Sequence, residues 1–248
     1  MTTPGSTNTV RAILLDIEGT TTPIAFVHEV LFSFARTHVR DYLAKHFDSE
    51  DVVAEVRLLR EEHKQDVSAG KQPPPLSETS SRDDIESIAV YVNWLIDQDR
   101  KSTGLKSLQG KIWQEGYSNG MLRAQVFPDV APALARWRVA GLHVSIFSSG
   151  SVLAQQLLFA HTESGDLRSF INNYFDTSVG KKGESASYRR IAEALRLPAS
   201  EVLFVSDVVA ELAAAREAGM DVVLSVRPGN QPQPSADQYA VIQCFDEL

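Results

Sequence analysis

Several apolar runs in this chain stop at residues able to handle a phosphate group. Ala12-Ile13-Leu14-Leu15 stops at Asp16-Ile17-Glu18-Gly19-Thr20-Thr21-Thr22. His143-Val144-Ser145-Ile146-Phe147 stops at Ser148-Ser149-Gly150-Ser151, and Val202-Leu203-Phe204-Val205 stops at Ser206-Asp207, with Glu211 four residues on. Lys181-Lys182 stands just before a helical pattern. A phosphate monoester carries about two negative charges near neutral pH, so an anionic nucleophile can approach it only with screening. Mg²⁺ prefers carboxylate, carbonyl and water oxygens and bridges phosphate to protein. Asp16 and Asp207 are therefore the candidate ligands of one such ion, and Asp16 the candidate nucleophile that forms an aspartyl-phosphate. Ser148, Ser149 and nearby backbone N–H groups at a helix start would hold phosphate oxygens. Lys182 would neutralise charge on phosphate and nucleophile. Glu18, on the turn after Asp16, is placed for general acid and base work.

Taken singly, each residue has a plainer reading. Asp16 could just begin a glycine turn, Asp207 could cap a helix, and Lys182 and Glu211 could be solvated. The Ser148–Ser151 stretch could be a simple cap and loop. Those readings do not explain why the residues fall in order at successive strand ends.

The elements that must position them follow from the same runs. Short apolar segments ending at Gly or Ser turns suit strands buried on both faces. Further segments of this kind are Val222–Val226, running into Arg227-Pro228-Gly229, and a weaker one near Tyr174-Phe175 before Asp176-Thr177. Helical patterns lie between them: Val130–Ala140 ending at Gly141, Val152–Ala160, Glu184–Leu195 before Pro198, and Val208–Ala218 ending at Gly219. The alternation predicts an α/β fold, a doubly wound parallel sheet of Rossmann type, whose ligands bind at the carboxyl ends of the strands.

Residues 25–122 break this rhythm with consecutive helical patterns: Val27–Phe47, Ser49–Ser68, Asp83–Asp99 and Leu105–Asn119. Lys71-Gln72-Pro73-Pro74-Pro75 reads as a stiff loop among them, and residues 1–9 as a polar tail. The expected organisation is a core of 1–24 and 123–248, with 25–122 inserted after the first strand as a helical cap.

Composition narrows the function classes. With 24 basic against 32 acidic residues among 248, the formal net charge is -8, which argues against a nucleic-acid partner. No apolar run approaches the roughly 18 residues a membrane helix needs. The start, MTTPGSTNTV, lacks the basic and apolar regions of a secretion signal, and the lone Cys244 excludes an internal disulfide framework; a cytoplasmic protein is expected. With no coiled-coil pattern or self-association patch, a monomer is expected. The six histidines form no metal-type pair, and Trp94, Trp113 and Trp137 read as core anchors. A phosphorylatable receiver domain also combines a parallel sheet, Mg²⁺, aspartate and lysine, but is about half this length and needs no such insertion. A general phosphatase of sugar or acyl phosphates is the nearer alternative.

The ordered motifs resemble the haloacid-dehalogenase superfamily of aspartate-nucleophile phosphatases. Its first motif, D-x-D-G-T, stands here as Asp16-Ile17-Glu18-Gly19-Thr20, with glutamate in the third place. That departure, within Leu14–Ile24, is similar to the enolase-phosphatase branch of methionine salvage. The similarity extends through Leu105–Gly110, Ile146–Ser151, Phe175–Thr177, Glu184–Tyr188 and Val226–Asn230. The resemblance implies enolisation of 2,3-diketo-5-methylthiopentyl-1-phosphate, then removal of phosphate to give the acireductone. It further implies one Mg²⁺ per subunit on Asp16, Glu18 and Asp207, with Glu18 binding through its carbonyl or its side chain. Ser148 and Ser149 match substrate-phosphate positions, Lys182 (or its neighbour Lys181) matches the motif lysine, and Glu211 matches a residue that orients a metal-bound water. Glu18 is one candidate for the enolisation base, and the inserted helices would act as a lid excluding water from the substrate.

Overall fold

The structure is a computed structural model describing residues 9–77, 84–100 and 102–248. The described residues fall into two compact units, 9–27 with 123–248, and those within 28–122.

The first unit is built on six parallel strands: β1 (Ala12–Leu15), β2 (His143–Phe147), β3 (Asn173–Phe175), β4 (Val202–Ser206), β5 (Asp221–Ser225) and β6 (Ala240–Ile242). Their order across the sheet is β3-β2-β1-β4-β5-β6. The chain winds outward one way from β1 through β2 to β3, then restarts beside β1 and winds the other way. The reversal lies between β1 and β4, where ligands of doubly wound sheets bind. Register makes the ends coincide: Leu15 pairs with Ile146 on one side and with Val205 on the other.

Four helices accompany the sheet: α5 (Val130–Val139), α6 (Val152–Ala160), α7 (Ser185–Leu195) and α8 (Val209–Glu217). Ala12, Leu14, Val202 and Phe204 share one core cluster with Tyr188 and Ile191 of α7 and Leu212 and Ala215 of α8. The alternate strand residues Ile13, Leu15, Val144, Ile146 and Val205 are buried as well. Both faces being covered is why β1 reads as an unbroken apolar run rather than an alternating one. Strand β6 gives no signal in the sequence. Three residues at a sheet edge, two of them exposed, leave no periodic signal.

The second unit holds α1 (Ser33–His46), α2 (Glu50–Ser68), α3 (Ile85–Asp97) and α4 (Thr103–Ser118). The helix expected to start at Asp83 has that residue outside the described residues. Ser49 and Ser102 cap α2 and α4 by accepting from Val52 N and Leu105 N. Val39, Leu43, Val56, Leu59, Ile88, Leu95, Leu108 and Ile112 are buried. Asp66, buried at the end of α2, accepts from Tyr91 Oη (2.9 Å) and Arg100 Nη1 (2.9 Å) and pairs with Lys71 Nζ (3.0 Å). The helix expected from Val27 instead begins as a π-helix, Phe26–Phe32. Buried Phe26 and Leu31 stand five apart, a spacing that the wider π turn aligns far better than an α turn. No helix among the described residues is long and apolar enough to cross a membrane.

Candidate active site

Asp16 leaves β1 directly above the reversal and is almost fully buried. Its carboxylate is held from three sides. Oδ1 accepts from the next backbone N–H, Ile17 N, at 2.7 Å and lies 2.6 Å from Lys182 Nζ. Oδ2 lies 3.2 Å from Ser206 Oγ at the end of β4. The turn beyond Asp16 folds around one carbonyl, because Thr20 N, Thr21 N and Thr22 N all donate to Ile17 O. Gly19 N closes the turn on Thr22 O, with Gly19 at φ +69°, a conformation that favours glycine. Glycine is required here for space too: a Cβ on Gly19 would stand 2.3 Å from Asp207 Oδ2. The motif turn and the end of β4 are thus pressed together.

Lys182, not Lys181, reaches this place. Lys181 is exposed and lies 3.7 Å from Glu184, whereas Lys182 is buried and also lies 2.6 Å from Glu211 Oε2. Its loop is pinned behind it, with Ser187 Oγ donating to Lys181 O and Tyr188 Oη donating to Lys182 O, both at 2.7 Å. Burial works against the ammonium charge, but Asp16 and Glu211 beside it outweigh that and raise its pKa above the ordinary lysine value. The idea that Lys182 and Glu211 are solvated surface residues is therefore wrong.

The remaining carboxylates are forced upward. Burial, then repulsion from Asp16 and Glu211, pushes Asp207 to about 7, and burial and Asp16 push Glu211 to about 7. Asp207 caps no helix: the N-cap position of α8 is Val208, with no side-chain cap bond. Ser206 Oγ also lies 3.0 Å from Glu211 Oε2, so its single hydroxyl proton serves Asp16 or Glu211.

On the other side of β1, the end of β2 supplies the hydroxyl loop. Ser148 Oγ accepts from Gly150 N at 3.1 Å, and Ser151 Oγ caps α6 by accepting from Ala154 N at 3.3 Å. Gln155 Nε2 braces the loop by donating to Gly150 O and Phe175 O, each at 2.9 Å. Ser148 and Ser149 are only partly buried. Capping is the work of Ser151, which leaves the other two serines beside a helix start.

The matching family model, haloacid dehalogenase-like hydrolase, spans residues 10–219. The enolase-phosphatase E1 of Synechococcus elongatus is 51% identical over 239 residues, covering 96% of this chain and 98% of that one. The chain belongs to the enolase-phosphatase E1 family of haloacid dehalogenase-like hydrolases. Another relative from that family, of Sorangium cellulosum, is 48% identical over 96% of this chain and 97% of its own length. A solved structure, the UTR4 protein of Saccharomyces cerevisiae, superposes with TM-score 0.76 at 35% identity, covering 96% of this chain and all of that one. Enolase-phosphatase E1 chains are enzymes of the phosphatase class, so the cluster at the end of β1 and β4 is the place to look for their chemistry.

The Mg²⁺ that phosphatases of this superfamily generally use fits the residues present. Asp16 and Asp207 are hard oxygen donors, and three close carboxylates against one ammonium leave excess negative charge that a divalent cation would relieve. Among the described residues no group of three His, Cys, Asp or Glu side chains could hold a metal alone. Sequence reasoning missed Ser206 as a bridge between Asp16 and Glu211; a serine at a strand end gives no periodic or motif signal of its own.

Proposed function

We propose that this chain converts 2,3-diketo-5-methylthiopentyl-1-phosphate, through its enol, into 1,2-dihydroxy-3-keto-5-methylthiopentene (acireductone) and phosphate, a step of methionine salvage. The reading is supported by near-full-length identity to enolase-phosphatases E1. The single observation that carries the phosphatase half is the buried Lys182 joining Asp16 to Glu211.

In the enolase step, a base removes the proton next to a carbonyl and keeps it for the next step, the electron pair moves onto the carbonyl oxygen, and a proton from solvent on that oxygen completes the enol. Glu18, on the turn after Asp16, is our candidate for that base. In the phosphatase step, the Asp16 carboxylate attacks phosphorus and the ester oxygen leaves as an alcohol, its proton supplied by Glu18. Glu18, now deprotonated, takes a proton from water, whose oxygen bonds to phosphorus as the Asp16 O–P bond breaks, returning the Asp16 carboxylate and free phosphate. Lys182, Ser148, Ser149 and the first N–H groups of α6 hold phosphoryl oxygens throughout. One Mg²⁺, held by Asp16, Asp207 and Glu18 through its carbonyl or side chain, would neutralise charge on phosphate and on the developing enolate.

The test is stopped-flow spectroscopy of the purified protein with the diketone phosphate, with phosphate measured in parallel. Mg²⁺-dependent phosphate release preceded by a transient enol absorbance is expected. Phosphate release without the enol signal would remove the enolase half. Comparable kcat/KM on unrelated phosphomonoesters would favour a general phosphatase instead.

A further inference from the structure

The segment Arg227-Pro228-Gly229-Asn230 lies outside the proposed chemistry, yet it grips the turn that carries Asp16. Asn230 N donates to Arg227 O at 3.1 Å, with Pro228 second and Gly229 third at φ +91°, the pattern of a type II β-turn. A turn of this kind brings its first and last residues close together. Both side chains are used on adjacent peptides of the catalytic turn. Arg227 Nε donates to Thr20 O at 3.1 Å, and Asn230 Nδ2 donates to Gly19 O at 2.9 Å.

Arg227 is itself fixed. It is 4% exposed, with its guanidinium carbon 4.7 Å from the Phe127 ring centre and 4.5 Å from that of Phe245. Nη2 donates to Asp129 Oδ2 and Nη1 to Gln243 O, each at 2.8 Å. A planar, always-charged fork stacked between aromatic rings has little freedom to turn. The same Nδ2 of Asn230 donates also to Ser225 O at 3.2 Å. Its Oδ1 is buried without a hydrogen-bond partner and faces Gly19: the Cβ position of Gly19 is 3.0 Å from it and 2.3 Å from Asp207 Oδ2.

We propose that Arg227 and Asn230 are positioning residues for the reaction. Through the Thr20 and Gly19 carbonyls they orient the turn that carries Asp16 and Glu18 and hold it against Asp207. This rests on the reading of Asp16 as nucleophile. Burial of the Arg227–Asp129 pair alone would call only for a structural staple joining α5 to the C-terminal segment. What it leaves unexplained is why both ends of one β-turn donate to successive carbonyls of the motif.

The experiment compares Asn230→Ala, Asn230→Asp and Arg227→Lys with Arg136→Ala. Arg136 donates to Asp246 Oδ1 and Phe245 O and so tethers the same C-terminal segment without, among the described residues, a hydrogen bond to the turn. Per folded molecule, the Asn230 variants should lose about 10–100-fold in kcat with KM within about threefold, the signature of displaced reacting groups. Their Gly19, Thr20 and Thr21 amide resonances should shift in substrate-free protein, while Arg136→Ala keeps wild-type kcat. Wild-type kcat per folded molecule in both Asn230 variants, or unmoved turn amides, would overturn the proposal even if Arg227→Lys fails to fold. A wild-type protein inactive on the diketone phosphate would sink the functional reading alone. The amide shifts would still decide the clamp.

Discussion

Lys182 Nζ stands 2.6 Å from Asp16 Oδ1, and the same nitrogen stands 2.6 Å from Glu211 Oε2. Three elements of the sheet unit, the end of β1, the loop before α7 and the first turn of α8, therefore meet on one buried ammonium. Its loss would strand two carboxylates as well as the cation that phosphate needs. Lys182→Met should lower kcat by about 100–1,000-fold. It should also destabilise the metal-free protein by roughly 3 kcal/mol, because the carboxylates are left unpaired. Lys181→Met, at an exposed site, should change both by little. Steady-state kinetics and urea unfolding of the two variants check the contrast.

Asp207 makes the opposite prediction. Its folded pKa of about 7 lies above that of an unfolded aspartate. Such a group contributes stability that is present at low pH and lost as pH rises through about 7. Metal-free protein should therefore lose stability between about pH 4 and 7 and level off above, and Asp207→Asn should be more stable than wild type at about pH 8 by roughly 1–3 kcal/mol. Added Mg²⁺ should reverse the order, since only the wild type gains a ligand-bound state. Thermal unfolding with EDTA or Mg²⁺ at these pH values checks this.

Mg²⁺ affinity should follow the same titration. A proton on Asp207 competes with the cation, so the affinity read by isothermal titration calorimetry should rise as pH passes upward through about 7 and then level off. An affinity flat across that range would contradict the assignment of Asp207 as ligand.

In the helical unit, burial pushes the Asp66 carboxyl up, but hydrogen bonds from Lys71, Arg100 and Tyr91 outweigh this and hold it below the usual carboxylate range. The network's contribution is present above that range and lost as pH falls through the lowered value. Asp66→Asn should cost about 3 kcal/mol near neutral pH, and less in acid. Phosphatase kcat measured well below the unfolding temperature should stay within about twofold, since Asp66 touches no reacting group. Urea unfolding across acid and neutral pH is the measurement.

Much of this was legible in the chain itself, for definite reasons. Strands buried on both faces announce themselves as short apolar runs, so β1, β2, β4 and β5 could be read, and with them the residues at their ends. Asp16 and Asp207 stand directly after two of those runs, so their candidacy could be read, whereas the lysine could be narrowed only to Lys181 or Lys182. What could not be read depended on distance in three dimensions. The choice of Lys182 over Lys181 is made by the hydrogen bonds pinning its loop, the role of Ser206 by two carboxylates arriving from elsewhere, and the grip of Arg227 and Asn230 by a turn at the far end of the sequence. The Pro-Gly pair did mark a turn, but nothing local said which carbonyls its flanking side chains would meet. Strand β6 and the π-helix at Phe26–Phe32 were hidden for a simpler reason, being too short or too irregular for a period to register.

The most direct test of the account is to trap the covalent intermediate. Substrate labelled with ³²P at the phosphate is mixed with enzyme and Mg²⁺, quenched in acid within the first turnover, and the protein digested and mapped. Label on the peptide that contains Asp16, absent from the Asp16→Asn variant along with turnover, is the predicted result. Label on another residue, or an Asp16→Asn enzyme that still turns over at the wild-type rate, would contradict it.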